Sequence, residues 1–115
     1  MVIKQFEIWI ADLNPQNGTE PGKTRPVVIV QSNLLNKMNH PSTIVCPITT
    51  KVRNDVNVLR IHIKKGISNL HQDCDIVLDQ VRSIDDKRLI NKVGDLPKEI
   101  SYQIKENLLI LFDIE

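Results

Sequence analysis

The hydrophobic pattern of the first fifty residues is that of β-strands separated by one long loop. Residues 6–13 alternate apolar and polar side chains, which predicts a strand. Residues 26–30 are apolar and mostly β-branched, and they predict a buried strand whose first residue is a proline. Residues 14–23, between these runs, contain two prolines and two glycines and therefore predict a long loop. A third apolar run predicts a strand over residues 43–48.

The strand pattern continues through the middle of the chain. Residues 56–63 alternate cleanly, residues 75–81 form another apolar run, and residues 91–94 add a short segment, so we predict three further strands. Two short helical pieces interrupt them. Residues 32–38 predict a short helix capped by Ser32, and residues 83–89 predict a turn with one helical turn, capped by Ser83 or Asp85.

The C-terminal segment changes to a helical period. From Pro97 onward, apolar residues recur at steps of four, four and three, which is the spacing of one helix face. Leu109 and Phe112 are expected to widen the stripe formed by Ile100, Ile104, Leu108 and Leu111. Short strands without helical crossovers, followed by one helix, favour a mainly β fold with some α-structure, arranged as a small antiparallel, partly closed β-barrel. The length predicts a single domain over residues 1–115.

Composition narrows the function without naming it. Hydrophobic content of 41% and charged content of 25% are typical of a globular protein and exclude a disordered chain. A net charge of +1 excludes a strongly basic protein that coats duplex DNA, so any nucleic-acid contact requires a local basic patch. Aromatic content of 3% excludes a broad stacking platform for bases.

Cysteine usage and the absence of long apolar segments predict the compartment. Cys46 and Cys74 lie far apart in apolar runs without a CxxC motif, so we expect both to be buried and reduced. No apolar stretch approaches the ~18 residues of a membrane span, and the N-terminus lacks the pattern of a signal peptide. We therefore predict a cytoplasmic protein that makes no membrane contact.

Polar residues at the ends of two predicted strands form the candidate site. Arg25 opens the second strand and Thr49 closes the third, and a guanidinium and a hydroxyl on strand ends can together bind a phosphate. Lys23, Lys51 and Arg53 would supply the local basic patch. A solvated or ion-paired surface arginine and a turn-capping threonine fit the same pattern.

Other motifs are absent. His40, His62 and His71 have no metal-ligand spacing, and no P-loop, GxSxG or GxGxxG sequence occurs. We therefore predict no metal and no cofactor. The carboxylates nearest the candidate site in sequence are Glu20, in the long loop, and Asp79, in the fifth strand.

Five motifs, in order and along nearly the whole chain, resemble the MazF/PemK/Kid family of toxin endoribonucleases. The resemblance implies an SH3-like barrel with a C-terminal helix, working as a homodimer. It implies metal-independent cleavage of single-stranded RNA, often mRNA, at short sequences, and an antitoxin partner whose disordered tail occupies the RNA groove. The motifs are Glu7–Pro15, Gly18–Glu20 followed by Arg25–Val28, Ser32–Asn33, Val45–Thr49, and Asp79–Leu89.

The resemblance also implies roles for individual residues. The family's catalytic residues correspond to Arg25 and Thr49, and some members also use an aspartate at the position of Asp79. Our own candidates for the base that helps the 2′-OH attack the phosphate are the two nearby carboxylates, Glu20 and Asp79. Some members pair the aspartate with an arginine two residues earlier, where this chain has Val77. RNA contacts are expected from Lys23, Thr50, Lys51, Arg53 and Gln80, and from Phe6, which stands where many relatives have glycine and could stack on a base.

Two other classes of function stay open from the sequence. A related family of gyrase-directed poisons has a similar barrel and also a terminal helix. A non-catalytic SH3-like binding module would leave Arg25 and Thr49 as ordinary surface residues. The motifs favour the nuclease over both.

Overall fold

The computed structural model describes residues 2–14 and 23–113 and shows a mainly antiparallel β-sheet with a C-terminal helix. Short 3₁₀ turns occupy Ile67–Asn69, Leu78–Gln80 and Asp86–Arg88. The strands within the described ranges are β1 (Glu7–Asp12), β2 (Thr24–Ile29), β3 (Ser42–Thr49), β4 (Arg60–Ile63), β5 (Cys74–Val77), β6 (Arg82–Asp85) and β7 (Leu89–Asp95), and the helices are α1 (Asn33–Lys37) and α2 (Lys98–Phe112).

The sheet follows the order β4-β5-β3-β2-β1-β7, and β6 pairs with the first half of β3. All of these pairings are antiparallel. Because β3 pairs with β6 at its start and with β5 at its end, this strand links the two halves of the sheet. No pairing within residues 2–14 and 23–113 joins β4 to β7, so the sheet is open and the predicted partly closed barrel is not confirmed.

The central strands are buried on both faces. On β2, Val28 belongs to one hydrophobic cluster, while Val27 and Ile29 belong to the other. Ile100 and Ile104 of α2 bury themselves in the first cluster and close that side of the core. This double burial explains why β2 is an unbroken apolar run rather than an alternating one.

Both predicted helices are confirmed. The hydroxyl of Ser32 accepts a hydrogen bond from Leu34 N at 3.1 Å, which caps α1 as expected. In α2 the buried face holds Ile100 and Ile104. The expected widening of this face is wrong, because Leu109 and Phe112 are 55% and 56% exposed.

The fourth and fifth strands are shorter than predicted. β4 begins at Arg60 and not at residue 56, because Leu59 adopts φ 62° and its amide donates to Asn107 Oδ1 of α2 at 2.9 Å. β5 ends at Val77, where the chain turns into Leu78–Gln80. The alternation of apolar and polar residues over 56–59 predicted a strand, because a hydrophobic pattern does not reveal a residue with a left-handed backbone such as Leu59.

The segment after β5 was predicted only in part. Ser83–Asp85 extends as β6 and pairs with β3 instead of forming a turn. The helical turn itself is confirmed as Asp86–Arg88, and Asp85 caps it by accepting from Lys87 N at 2.9 Å. The pairing with β3 depends on a partner about forty residues away, which local pattern does not specify.

Both cysteines are free and buried, as predicted. Burial, followed by the nearby charge of Asp79, raises the pKa of the Cys46 thiol to about 12, so this thiol stays protonated near neutral pH. In the described part of the chain, neither helix combines the length and apolarity that crossing a bilayer requires.

Glu7 is a nearly buried carboxylate whose charge contributes to stability. It accepts from Lys4 N at 2.7 Å and Trp9 Nε1 at 3.1 Å, and Lys92 Nζ lies 2.8 Å away. Burial alone would raise its pKa, but these hydrogen bonds and the ion pair outweigh burial and hold the pKa below its usual 4.5.

We expect this carboxylate to make the protein less stable in acid. Since the folded-state pKa lies below the unfolded one, the stabilisation is complete above the unfolded pKa and disappears as pH falls through the folded value. Thermal melts of wild type and Glu7→Gln between about pH 7 and pH 3 test this. The difference in melting temperature between the two proteins should shrink as pH falls, and a constant difference would contradict the assignment.

Candidate functional site

Arg25 and Thr49 come together at one end of the sheet because β2 and β3 are antiparallel neighbours. Val27 is paired with Pro47 in this ladder. Arg25 lies near the start of β2, two residues before Val27, and Thr49 lies at the end of β3, two residues after Pro47. Both residues therefore lie at the same end of this strand pair, although they are 24 positions apart in sequence. The strand pairing thus assembles the guanidinium and hydroxyl predicted from sequence.

These two residues line an open cleft of about 740 Å³ at the end of the sheet. Its walls come from β2, the end of β3 with the turn that follows, β4 and β5. Its open shape suits an extended polymer better than a small ligand, which usually occupies an enclosed pocket. The lining residues are Lys23, Thr24, Arg25, Pro26, Pro47, Ile48, Thr49, Thr50, Lys51, Arg53, Arg60, Cys74, Val77 and Gln80.

The cleft concentrates positive charge. Among the described residues that line it, five are basic and none is acidic, although the chain as a whole carries a net charge of only +1. Among the five, Arg53 is ion-paired with Asp55 at 3.2 Å and Arg60 with the buried Asp75 at 3.0 Å. A local excess of cations along an open groove attracts polyanions without making the whole protein basic. The cleft therefore supplies the local basic patch that the low net charge requires.

The Thr49 side chain is oriented by the turn that follows β3. Its Oγ1 accepts a hydrogen bond from Lys51 N at 3.1 Å. Since this contact uses a lone pair of the oxygen, the hydroxyl hydrogen is available for donation to a ligand in the cleft. The same turn presents the side chains of Thr50 and Lys51.

Lys23 enters the cleft from a strained backbone position. Its φ is 65°, in the left-handed region that non-glycine residues rarely adopt. Two hydrogen bonds hold this geometry, since Lys23 O accepts from Leu13 N at 2.9 Å and Lys23 N donates to Asn14 Oδ1 at 2.6 Å. The backbone beside Arg25 is therefore fixed to the end of β1.

The structure brings most of the predicted site residues together and leaves out two. Asp79 is exposed on the turn Leu78–Gln80 and does not line the cleft. Phe6 does not reach it either. Glu20 lies outside the described residues. Those that share the cleft are Lys23, Arg25, Thr49, Thr50, Lys51, Arg53 and Gln80.

Phe6 packs inside the protein and does not line the cleft. Its φ is 70°, and its part-buried ring packs against the hydrophobic cluster beneath α2. Lys105 Nζ of α2 lies 5.6 Å from the ring centroid, within the range of a cation–π contact. The left-handed backbone explains why a glycine suits this position, and the ring is occupied by contacts inside the protein rather than presented to the cleft.

Sequence reasoning missed Asp75 and Arg60. Asp75 is fully buried on β5, and Arg60 Nε lies 3.0 Å from its Oδ2. The same carboxylate contacts His62 Nδ1 at 2.5 Å and accepts from Arg53 N at 2.9 Å. The available signal was the alternation of Arg60 and His62 on the polar face of a predicted strand, combined with an acid at the start of the next strand.

The described residues contain no group of three or more histidine, cysteine, aspartate or glutamate side chains placed to hold a metal ion. The chemistry that this cleft itself offers is charge stabilisation by guanidinium and ammonium groups, and hydrogen-bond donation by hydroxyls.

The chain is similar to known proteins along nearly its whole length. Residues 4–112 match the model of a family described as PemK-like, MazF-like toxin of type II toxin–antitoxin system. The chain is 32% identical over 110 residues to endoribonuclease EndoA of Bacillus subtilis (strain 168), covering 96% of this chain and 94% of that protein.

Solved structures show the same fold. MazF (Form-I) from Deinococcus radiodurans superposes with a TM-score of 0.81 at 18% identity, covering 99% of both chains. A MazE–MazF structure (Form-II) from the same organism gives a TM-score of 0.79 at 17% identity, covering 100% of this chain and 99% of that one.

Proposed function

This chain belongs to the family of PemK-like, MazF-like toxins of type II toxin–antitoxin systems and is related to an endoribonuclease, and we propose that it cuts single-stranded RNA in the basic cleft. The cut would fall within short sequences of mRNA and would require no metal ion. One observation carries the proposal: Arg25 and Thr49 line the same open cleft, and five of the residues that line it are basic.

RNA supplies its own nucleophile in this mechanism. The 2′-oxygen loses its proton and attacks the adjacent phosphorus, the bond to the 5′-oxygen breaks, and the leaving oxygen takes up a proton. The products are a 2′,3′-cyclic phosphate and a 5′-hydroxyl. Arg25 stabilises the negative charge that develops on the phosphoryl oxygens, and Thr49 donates its hydroxyl hydrogen to the same phosphate. Neither role requires a cofactor.

Carboxylates are our candidates for proton transfer. Glu20 precedes Lys23 of the cleft by three positions in sequence, and Asp79 adjoins Gln80, which lines the cleft. General acid–base help of this kind contributes about 10²–10⁴-fold to a rate. Lys23, Thr50, Lys51, Arg53 and Gln80 would bind the RNA on either side of the reacting phosphate.

We propose that the protein works as a homodimer with a cognate antitoxin. The likeness to MazF in a MazE–MazF structure supports an antitoxin partner. Exposed apolar side chains, such as Leu109 and Ile110 on α2, supply surface that a second chain could cover. Light scattering with and without the antitoxin measures both assemblies, and a protein that stays monomeric at all concentrations would contradict the dimer.

Incubation of the purified protein with a long single-stranded RNA in excess chelator tests the activity and its metal independence together. We expect cleavage at a short recurring sequence, with a 2′,3′-cyclic phosphate on one side of each cut and a 5′-hydroxyl on the other. Mapping of both cut ends provides the readout. Cleavage that occurs only without chelator would refute the metal-free mechanism, and intact RNA under both conditions would refute the nuclease.

Incubation of supercoiled plasmid with DNA gyrase and this protein tests the alternative that the protein is a gyrase-directed poison. A gyrase-directed poison changes DNA topology without cutting RNA, whereas a nuclease of this type leaves gyrase unaffected.

A copy of the RNA in which every 2′-OH is methylated serves as the substrate control for the cleavage assay. It should resist cleavage, because it lacks the nucleophile.

A further inference from the structure

Asp75 is an unusual residue for a small sheet because its carboxylate is fully buried and carries three contacts. Arg60 Nε lies 3.0 Å from Oδ2, His62 Nδ1 lies 2.5 Å from Oδ1, and Arg53 N donates to Oδ2 at 2.9 Å. A buried carboxylate is costly unless it is paired and hydrogen-bonded, so this arrangement fixes its partners in place. Two of the three partners, Arg53 and Arg60, line the cleft.

Strand register explains how Asp75 reaches the site. Asp75 on β5 is paired with Thr49 on β3 and with His62 on β4. The carboxylate therefore lies in one row between a proposed catalytic residue and a partly exposed histidine. Arg60, two residues before His62, projects on the same polar side of β4 and lines the cleft.

The Arg60 guanidinium is held by contacts with two different elements, β5 and the turn after β3. Besides the ion pair with Asp75, its Nη2 donates to Lys51 O at 3.2 Å in the turn that follows Thr49. The side chain is only 17% exposed, which limits the conformations that the guanidinium can adopt. A guanidinium has five N–H donors, and the hydrogen bond to Lys51 O uses one on Nη2, while the contact of Nε with Asp75 is an ion pair without a hydrogen bond. The outer N–H groups of the guanidinium can therefore serve a ligand in the cleft.

We propose that Arg60 binds a phosphate of the RNA beside the one at Arg25, and that Asp75 is a positioning residue that fixes this second guanidinium. The inference rests on the proposed function for the identity of the ligand. A pre-oriented guanidinium binds phosphate with less loss of side-chain entropy than a free one. The contact would strengthen binding of the RNA strand rather than perform the chemical step.

Binding to an uncleavable RNA tests this separately from cleavage. The probe is a fluorescent single-stranded fragment of the long test RNA with 2′-O-methyl groups throughout, titrated at several salt concentrations. We expect Arg60→Gln to weaken binding by about ten- to a hundredfold, as for the loss of one charged hydrogen bond. The slope of log K against log salt should fall in magnitude by about 0.7, as for one lost single-strand phosphate contact.

Three matched variants separate binding from structure. Arg60→Lys keeps the charge and should retain the wild-type salt slope with weaker affinity. Asp75→Asn keeps the shape and the Arg60 charge, and should raise KM for RNA cleavage more than it lowers kcat. Lys64→Gln removes an exposed positive charge outside the cleft and should leave affinity unchanged. Circular dichroism melts confirm that each variant is folded at the assay temperature.

The outcomes distinguish failure of the Arg60 and Asp75 proposal from failure of the proposed nuclease activity. If folded Arg60→Gln binds with wild-type affinity and salt slope, the assignment of Arg60 to a phosphate is overturned, and Arg60 serves only to compensate Asp75. If Asp75→Asn loses stability but keeps KM, its positioning role is overturned. If wild-type protein binds the probe but leaves unmodified RNA intact, the proposed nuclease fails while the binding result for Arg60 still stands.

Discussion

Replacement of Arg25 by alanine is expected to reduce the rate of RNA cleavage by about 10²–10³-fold while leaving the fold intact. Loss of one preorganised donor aimed at developing negative charge produces an effect of this size in other enzymes. Arg25 is only partly buried at the margin of the sheet, so its truncation opens no cavity in the core. The loss should therefore appear in kcat more than in the melting temperature.

Single-turnover cleavage of an RNA that contains the mapped sequence provides the measurement. Arg25→Lys should recover only part of the rate, because an ammonium group keeps the charge but lacks the planar fork. Lys98→Gln, an exposed change at the start of α2, serves as the matched control and should cleave at the parental rate. A folded Arg25→Ala variant with parental cleavage would remove Arg25 from the catalytic centre.

Replacement of Ile76 by alanine is expected to lower the free energy of unfolding by about 2–5 kcal/mol. Ile76 is completely buried on β5, where it pairs with Ile48 and Ile61 on its two neighbouring strands. Removal of its outer atoms leaves a cavity in the middle of the principal core cluster. Close-packed surroundings relax only partly into such a cavity, so both the lost transfer energy and the cavity contribute to the cost.

Ile90→Ala is the matched comparison, because it deletes the same atoms from a side chain that is 55% exposed on β7. This change should cost less than about 0.5 kcal/mol. Urea denaturation with a common slope for the three proteins gives both differences. Equal losses for the two variants would mean that the cluster around Ile76 is not the stabilising core.

Local sequence signals predicted the elements whose geometry is set by their own residues. Ser32 caps α1 because its hydroxyl reaches an amide two residues away, and the face of α2 begins with Ile100 and Ile104 as the period predicts. The pattern failed where a single backbone conformation or a distant partner decides the structure. Leu59 has a left-handed backbone and its amide donates a hydrogen bond to α2, and residues 83–85 pair with β3. The local alternation of apolar and polar residues predicts neither outcome.

The residues of the candidate site also divide into those that local sequence predicts and those that depend on a distant strand. Arg25 and Thr49 were accessible from sequence, because each marks the end of an apolar run and the two runs become neighbouring antiparallel strands. Asp75 was not accessible, because its role depends on the register that places it between Thr49 and His62. A shift of one residue in that register would turn the carboxylate to the opposite face and break the contacts with Arg60 and Arg53.

The open sheet also bears on how this protein avoids aggregation. In the described part of the chain, β4 and β7 end the main strand order and β6 pairs only with β3, so each of these strands leaves backbone groups on which an intermolecular strand could template. β4 is only four residues long and carries Arg60 and His62, and β7 carries Lys92 in its centre. Another copy would have to dock against charged side chains, Arg60 on β4 or Lys92 on β7, which disfavours edge-to-edge stacking during expression and storage.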